Sequence, residues 1–89
     1  MFKWNVDKNT WLHKVRGITF DEVVQAIGDG YGVADIPHWN TEKYPNQRMF
    51  IVNINEYAYL VPFIESQDEI FLKTVIPSRK ATKKYIGAK

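Results

Sequence analysis

Eighty-nine residues with 45% hydrophobic side chains, three Trp, five Tyr and five Phe describe one small folded domain and exclude a disordered chain. The absence of cysteine excludes disulfides, thiolate catalysis and zinc–thiolate sites. The formal net charge of +2 hides a division: all ten acids and six of the twelve Lys and Arg residues lie in 1–69, whereas 70–89 holds six bases and no acid.

In chain order, Phe2-Lys3-Trp4 alternates as a short strand. From Asp7 to Val15 the pattern is helical, with Trp11, Leu12 and Val15 on one side and Gly17 as the C-cap. Thr19-Phe20-Asp21-Glu22 reads as a capping box, with Thr19 as the N-cap. Phe20, Val23, Val24 and Ile27 then form the clearest apolar stripe in the chain, ending at Gly28-Asp29-Gly30. Tyr31 to Ile36 predicts a strand closed by Pro37, and Pro37 to Asn46 a polar loop. Gln47–Ile54, Tyr57–Ile64 and Glu69–Ile76 predict three strands in an antiparallel meander. Pro62 cannot donate to a ladder, so it marks a bulge or an unpaired donor position. Ser78 is placed to cap a terminal helix from Arg79 to Ile86. The order β-α-α-β-β-β-β-α predicts an α+β domain, with two N-terminal helices packed on an antiparallel sheet and a short basic C-terminal helix.

The first 69 residues are net negative and the last twenty net positive, and a positive end of this kind suits a nucleic acid or an acidic protein surface. A plain solvated helix is the simpler alternative. On a helical wheel Arg79, Lys83, Lys80 and Lys84 fall at about 0°, 40°, 100° and 140°. Ala81, Thr82, Tyr85 and Ile86 fill the opposite arc. In the strands, alternation puts Ala58, Leu60, Pro62 and Ile64 on one face and Tyr57, Tyr59, Val61 and Phe63 on the other. If the helices cover the aliphatic face, the open face is aromatic and carries Lys73. Aromatics beside cations suit stacked bases, which makes Tyr57 and Tyr59 candidates for nucleic-acid binding. Core packing is the alternative, above all for Val61 and Phe63. His38, in the loop Pro37-His38-Trp39-Asn40, is a candidate general acid or base. His13 reads as structural or solvated. No P-loop, Rossmann glycine pattern, nucleophile elbow or metal-ligand spacing is present, so neither a metal nor another cofactor is expected. No apolar segment opens the chain as a secretory signal, and none approaches the ~20 residues of a membrane span. A cytoplasmic protein without a membrane partner is the expectation.

Phe2-x-Trp4, Lys8-Asn9, Arg16-Gly17-Ile18-x-Phe20-x-Glu22, Arg48 before a strand and the closing Ile76-Pro77-Ser78-Arg79-Lys80-Ala81-Thr82 with Tyr85 resemble the BrnT toxin family. The likeness extends over nearly the whole chain, and the closing motif is its most specific part. It implies a RelE-like α+β fold and a metal-independent ribonuclease that arrests translation. It also implies neutralisation by a cognate antitoxin with a ribbon-helix-helix domain, through which alone operator DNA is reached. Two positions depart from the family pattern: Asn5 stands for an aspartate and Arg16 for a histidine. A non-cleaving antitoxin partner and co-repressor is therefore the alternative expectation.

Metal-free RNA cleavage uses the 2′-hydroxyl as nucleophile, a base beside it, cations on the charged phosphorus and an acid for the leaving oxygen. Arg48 and Arg79 are the choices for phosphate binding, because a guanidinium grips phosphate bidentately. Lys80 and Lys73 add charge. Tyr85, for which docking the helix is the alternative role, and His38 are the candidates for proton transfer. Lys83, Lys84 and Lys89 read as general electrostatic attraction or plain solvation.

Overall fold

A computed structural model of the protein describes residues 1–87. Strand β1 (Phe2–Trp4) leads to helix α1 (Val6–Arg16) and helix α2 (Phe20–Gly28). Strands β2 (Gly32–Pro37), β3 (Gln47–Ile54), β4 (Tyr57–Ser66), β5 (Glu69–Leu72) and β6 (Ile76–Pro77) follow. One helical turn, α3 (Arg79–Ala81), continues directly into a π-helical turn over Thr82–Ile86. Lys89, the last of the C-terminal bases, lies outside the described residues.

Local chemistry sets the helix boundaries. The Asn5 side chain accepts the Lys8 N–H at 2.9 Å, and Gly17 ends α1 at φ 66°, a left-handed conformation that glycine adopts without strain. Thr19 Oγ1 accepts the Glu22 N–H at 3.2 Å and opens α2. The two helices are locked together by one side chain. Asn9 Oδ1 accepts the Phe20 N–H at 2.7 Å, while Asn9 Nδ2 donates to Asp21 Oδ2 at 3.1 Å. α1 therefore satisfies an orphan donor of the first turn of α2.

The sheet order is β1-β5-β4-β3-β2, with β6 pairing on β4. The sheet is mixed where an antiparallel one was expected: β1 runs parallel to β5, with Phe2 opposite Ile70 and Trp4 opposite Leu72. The reason is connectivity. A hairpin forces antiparallel pairing on β3–β4 and β4–β5, whereas β1 meets β5 only after the helices and three strands intervene.

The third expected strand, Glu69–Ile76, is divided. β5 pairs with β4 through Phe63–Ser66, and β6 pairs with the same strand at Tyr59 and Leu60. Between them Lys73, Thr74 and Val75 stand opposite Val61 and Pro62, one residue in excess. The Pro62 carbonyl accepts the Lys73 N–H at 2.8 Å, so the backbone polar groups of Pro62 face this edge. Its nitrogen has no hydrogen to give there, and the ladder stops. The β-bulge reverses the facing of every side chain after it.

Two cores result. Leu12, Phe20 and Val23 from the helices and Ile18 from the turn between them pack with Val52, Val61, Phe63 and Leu72 from one sheet face and with Val75 from the bulge. Phe50 and Phe63 stack at 4.0 Å on that side, and Trp4 stacks on Phe20 at 5.7 Å. On the opposite face Ile51 and Ala58 pack under Ala81, with Leu60, Tyr85 and Ile86 around them. The helices thus cover the aromatic face of β4, and the terminal helix covers the aliphatic one, the reverse of the expected arrangement. The aromatic face wins the larger helix pair because Phe63 and its neighbours present more apolar area to bury.

Two substitutions test this account by urea denaturation. Phe20→Ala removes a fully buried ring and is expected to cost about 3–5 kcal/mol. Asn9→Ala leaves the partly buried Phe20 N–H without its acceptor and is expected to cost about 1–3 kcal/mol.

Candidate nucleic-acid interface

The alternation that sends Ile51 to the terminal-helix face carries Ile36, Met49 and His38 to the same side, since Ile36 pairs with Met49 and the His38 N–H donates to the Gln47 carbonyl at 3.2 Å. Beyond the reach of the terminal helix, this face holds a concavity of about 340 Å³. His38, Trp39, Tyr44 and Gln47 line one side, Lys73, Thr74 and Lys8 another, and Pro62 and Ile76 the floor. Lys73 reaches this face by ordinary alternation after Leu72, and the bulge opposite Pro62 brings Thr74 beside it.

The loop from His38 to Asn46 is ordered by its own bonds. His38 Nδ1 accepts the Asn40 N–H at 3.0 Å, Asn40 Oδ1 accepts the Lys43 N–H at 3.1 Å, and the Asn40 carbonyl accepts the Tyr44 N–H at 2.9 Å. His38 is only 5% exposed, and its ring centre lies 4.2 Å from that of Trp39 and 4.6 Å from that of Tyr44. With Nδ1 accepting, a neutral ring carries its proton on Nε2 and acts as a donor. In this arrangement His38 braces the loop and offers a hydrogen bond.

The terminal helix begins three residues after Ile76 of the pocket floor. Ser78 Oγ accepts the Ala81 N–H at 3.0 Å, and Thr82 Oγ1 accepts the Ala58 N–H at 2.9 Å while donating to the Ser78 carbonyl at 2.7 Å. Thr82 thereby fastens the helix to β4. Arg79, Lys80, Lys83 and Lys84 are exposed. The 100° wheel describes only the first turn, because the Gly87 N–H reaches back to the Thr82 carbonyl in π-helical fashion. Tyr85 is half-buried against the Ile51–Ala58–Ala81 cluster, with Lys84 Nζ 5.3 Å from its ring centre. It docks the helix.

Of the sequence candidates, Lys73 and His38 line one pocket, and Arg79, Lys80, Lys83 and Lys84 follow on the same face. Arg48 does not join them. It lies on the face of Phe50 and Val52, and its Nε contacts Asp35 Oδ1 at 2.9 Å. Strand alternation is the cause: Gln47 and Met49 point to the pocket face, and Arg48 points away. Tyr57 and Tyr59 also lie on the helix-pair side, in contact at 5.8 Å, and Tyr59 packs against the core. Sequence reasoning missed Lys8, Trp39 and Tyr44. The available signal was aromatic: Trp39 and Tyr44 stand in an otherwise polar loop between Pro37 and Pro45.

A larger groove, about 590 Å³, lies at the other end of β3 between α2 and the β3–β4 turn. Asp21, Glu22, Asp29 and Glu56 line it, a lining that repels phosphate. Among the described residues no three His, Asp or Glu side chains gather as a metal site, and no helix is long and apolar enough to cross a membrane. Comparison of the chain with family models, with curated proteins and with solved structures finds no match.

The anchoring role of Thr82 is open to measurement. Thr82→Val keeps the shape but strands the Ala58 N–H, and it is expected to cost about 1–3 kcal/mol and to speed amide exchange at Ala58.

Proposed function

We propose that this protein binds RNA through the face that carries the terminal helix, as the toxin half of a type II toxin–antitoxin module. The observation that carries the reading is the charge on that face. Among the described residues the ion pairs are Lys3–Glu69 and Arg48–Asp35. Lys73, Arg79, Lys80, Lys83 and Lys84 are all exposed and belong to neither. Such a cationic strip beside an aromatic loop suits a phosphate backbone with accessible bases. The resemblance of the closing motif to BrnT toxins points the same way, and with it comes a RelE-like reading of the α+β fold.

In this reading Arg79 and Lys80 hold the scissile phosphate and stabilise the charge that builds on it as the 2′-oxygen, giving its proton to water, bonds to phosphorus and the bond to the 5′-oxygen breaks, that oxygen leaving with a proton from water. Lys73 binds a neighbouring phosphate, and His38 donates a hydrogen bond from Nε2. Arg48, tied to Asp35 on the other face, has no part in the reaction. A cognate antitoxin with a ribbon-helix-helix domain silences the protein by laying an acidic segment over the same cations. Operator DNA is reached only through that partner.

A second reading, a binding module that no longer cleaves, is favoured by one pair of observations. Asn5 caps α1, and Arg16 Nη1 donates to the Val75 carbonyl at 2.6 Å. Both positions where the family pattern differs thus serve the fold here.

Induced expression separates the two. Growth arrest with RNA breakdown supports the nuclease, and its absence alongside retained antitoxin binding supports the module. Within the first reading, Arg79→Ala is expected to abolish arrest while leaving the thermal melt unchanged, because the side chain is exposed. A variant that still arrests growth removes Arg79 from the mechanism.

A further inference from the structure

We infer that the pocket beside Trp39 is a base-binding subsite for single-stranded RNA, in which one base stacks on the Trp39 indole and the flanking phosphates meet Lys73 and Lys8. The inference rests on the RNA reading above and deepens it.

Trp39 is 62% exposed, an unfavourable place for the largest apolar ring. Its position is nevertheless defined. Its ring rests 4.2 Å from the buried His38, which Tyr44 braces from a further 4.6 Å, and the hydrogen bonds of Asn40 hold the loop beneath. An indole kept in water on an ordered platform is a stacking surface with little entropy left to lose on binding.

The facing wall supplies charge. Lys8 Nζ is held 4.2 Å above the Trp11 ring and Lys73 Nζ 5.4 Å from the Phe71 ring, which positions both stems while leaving the ammonium groups outside the two ion pairs. Among the described residues no Asp or Glu lines the pocket. Thr74 and Gln47 add groups that hydrogen-bond a base edge, and Pro62 and Ile76 form an apolar floor. At about 340 Å³ the space stands at the small end of the ~300–1,000 Å³ range of ligand sites, suited to one splayed nucleotide. A duplex keeps its bases stacked inside and cannot use the indole. An acidic peptide would satisfy the lysines and leave the indole idle. From this pocket β6 leads straight to Arg79, so the strand continues onto the terminal helix.

The test uses a short, labelled single-stranded RNA with every 2′-hydroxyl methylated, so that binding is read without cleavage. By fluorescence anisotropy, Trp39→Ala is expected to weaken binding about 5- to 100-fold, and Trp39→Phe to retain most of it. Lys73→Ala is expected to lower the slope of log affinity against log salt by about 0.7. Duplex RNA and polyglutamate are expected to bind less well than the single strand, and to show no loss with Trp39→Ala. Unchanged affinity of Trp39→Ala, with binding lost in Arg79→Ala/Lys80→Ala, overturns the subsite and leaves the RNA reading standing. Polyglutamate binding as tightly as RNA, with the same dependence on Trp39, also overturns it. No binding of any RNA by the unaltered protein overturns both.

Discussion

The absent backbone hydrogen of Pro62 is the constraint around which the second half of this molecule is arranged. β4 is the central strand of the meander, and Pro62 faces its β5–β6 edge, where a donor is required and none exists. The strand that should pair there breaks into β5 and β6, with one extra residue between them. That residue changes the facing of the chain. Val75 enters the helix-side core, fully buried, and its carbonyl becomes the acceptor for Arg16 of α1. Thr74 joins Lys73, which alternation already places on the other face, as a polar wall. One imino acid thus links the packing of α1 to the shape of the pocket.

The distribution of charge follows from the layering. α2 and its C-cap, on one face, bring Asp21, Glu22 and Asp29 to the groove at one end of β3. The terminal helix occupies the other face and brings Arg79, Lys80, Lys83 and Lys84. The charge division along the chain becomes a division in space because the two ends of the chain pack on opposite sides of the sheet. A polyanion is attracted to one region and repelled from the other, which orients it before any specific contact forms.

The helices were legible because their signals are local. The Phe20-Val23-Val24-Ile27 stripe, the Thr19 cap and Gly17 each act within a few residues, and α2 starts and ends where those residues place it. Gln47–Ile54 was equally plain, and Pro62 announced its own disruption. The parallel pairing of β1 was not legible, because no hairpin ties it to β5. The π-helical close of the chain was not legible either. It arises where Thr82 is held by Ala58, a contact across 24 positions.

The candidate site divides along the same line. Net positive charge at the C-terminus, the cations Arg79 and Lys80, and the presence of His38 in a loop are properties of composition and short motifs, and these the chain alone determined. Which cations share a surface depends on which sheet face each strand residue occupies, and alternation sets that only once pairing is known. Tertiary structure decided that the helix pair covers the aromatic face, that Arg48 turns away to Asp35, and that Lys8, Trp39 and Tyr44 meet Lys73 around one cavity. The physical reason is that a face of a sheet is defined by partners far apart in the chain, whereas a charge or a cap is carried by the residue itself.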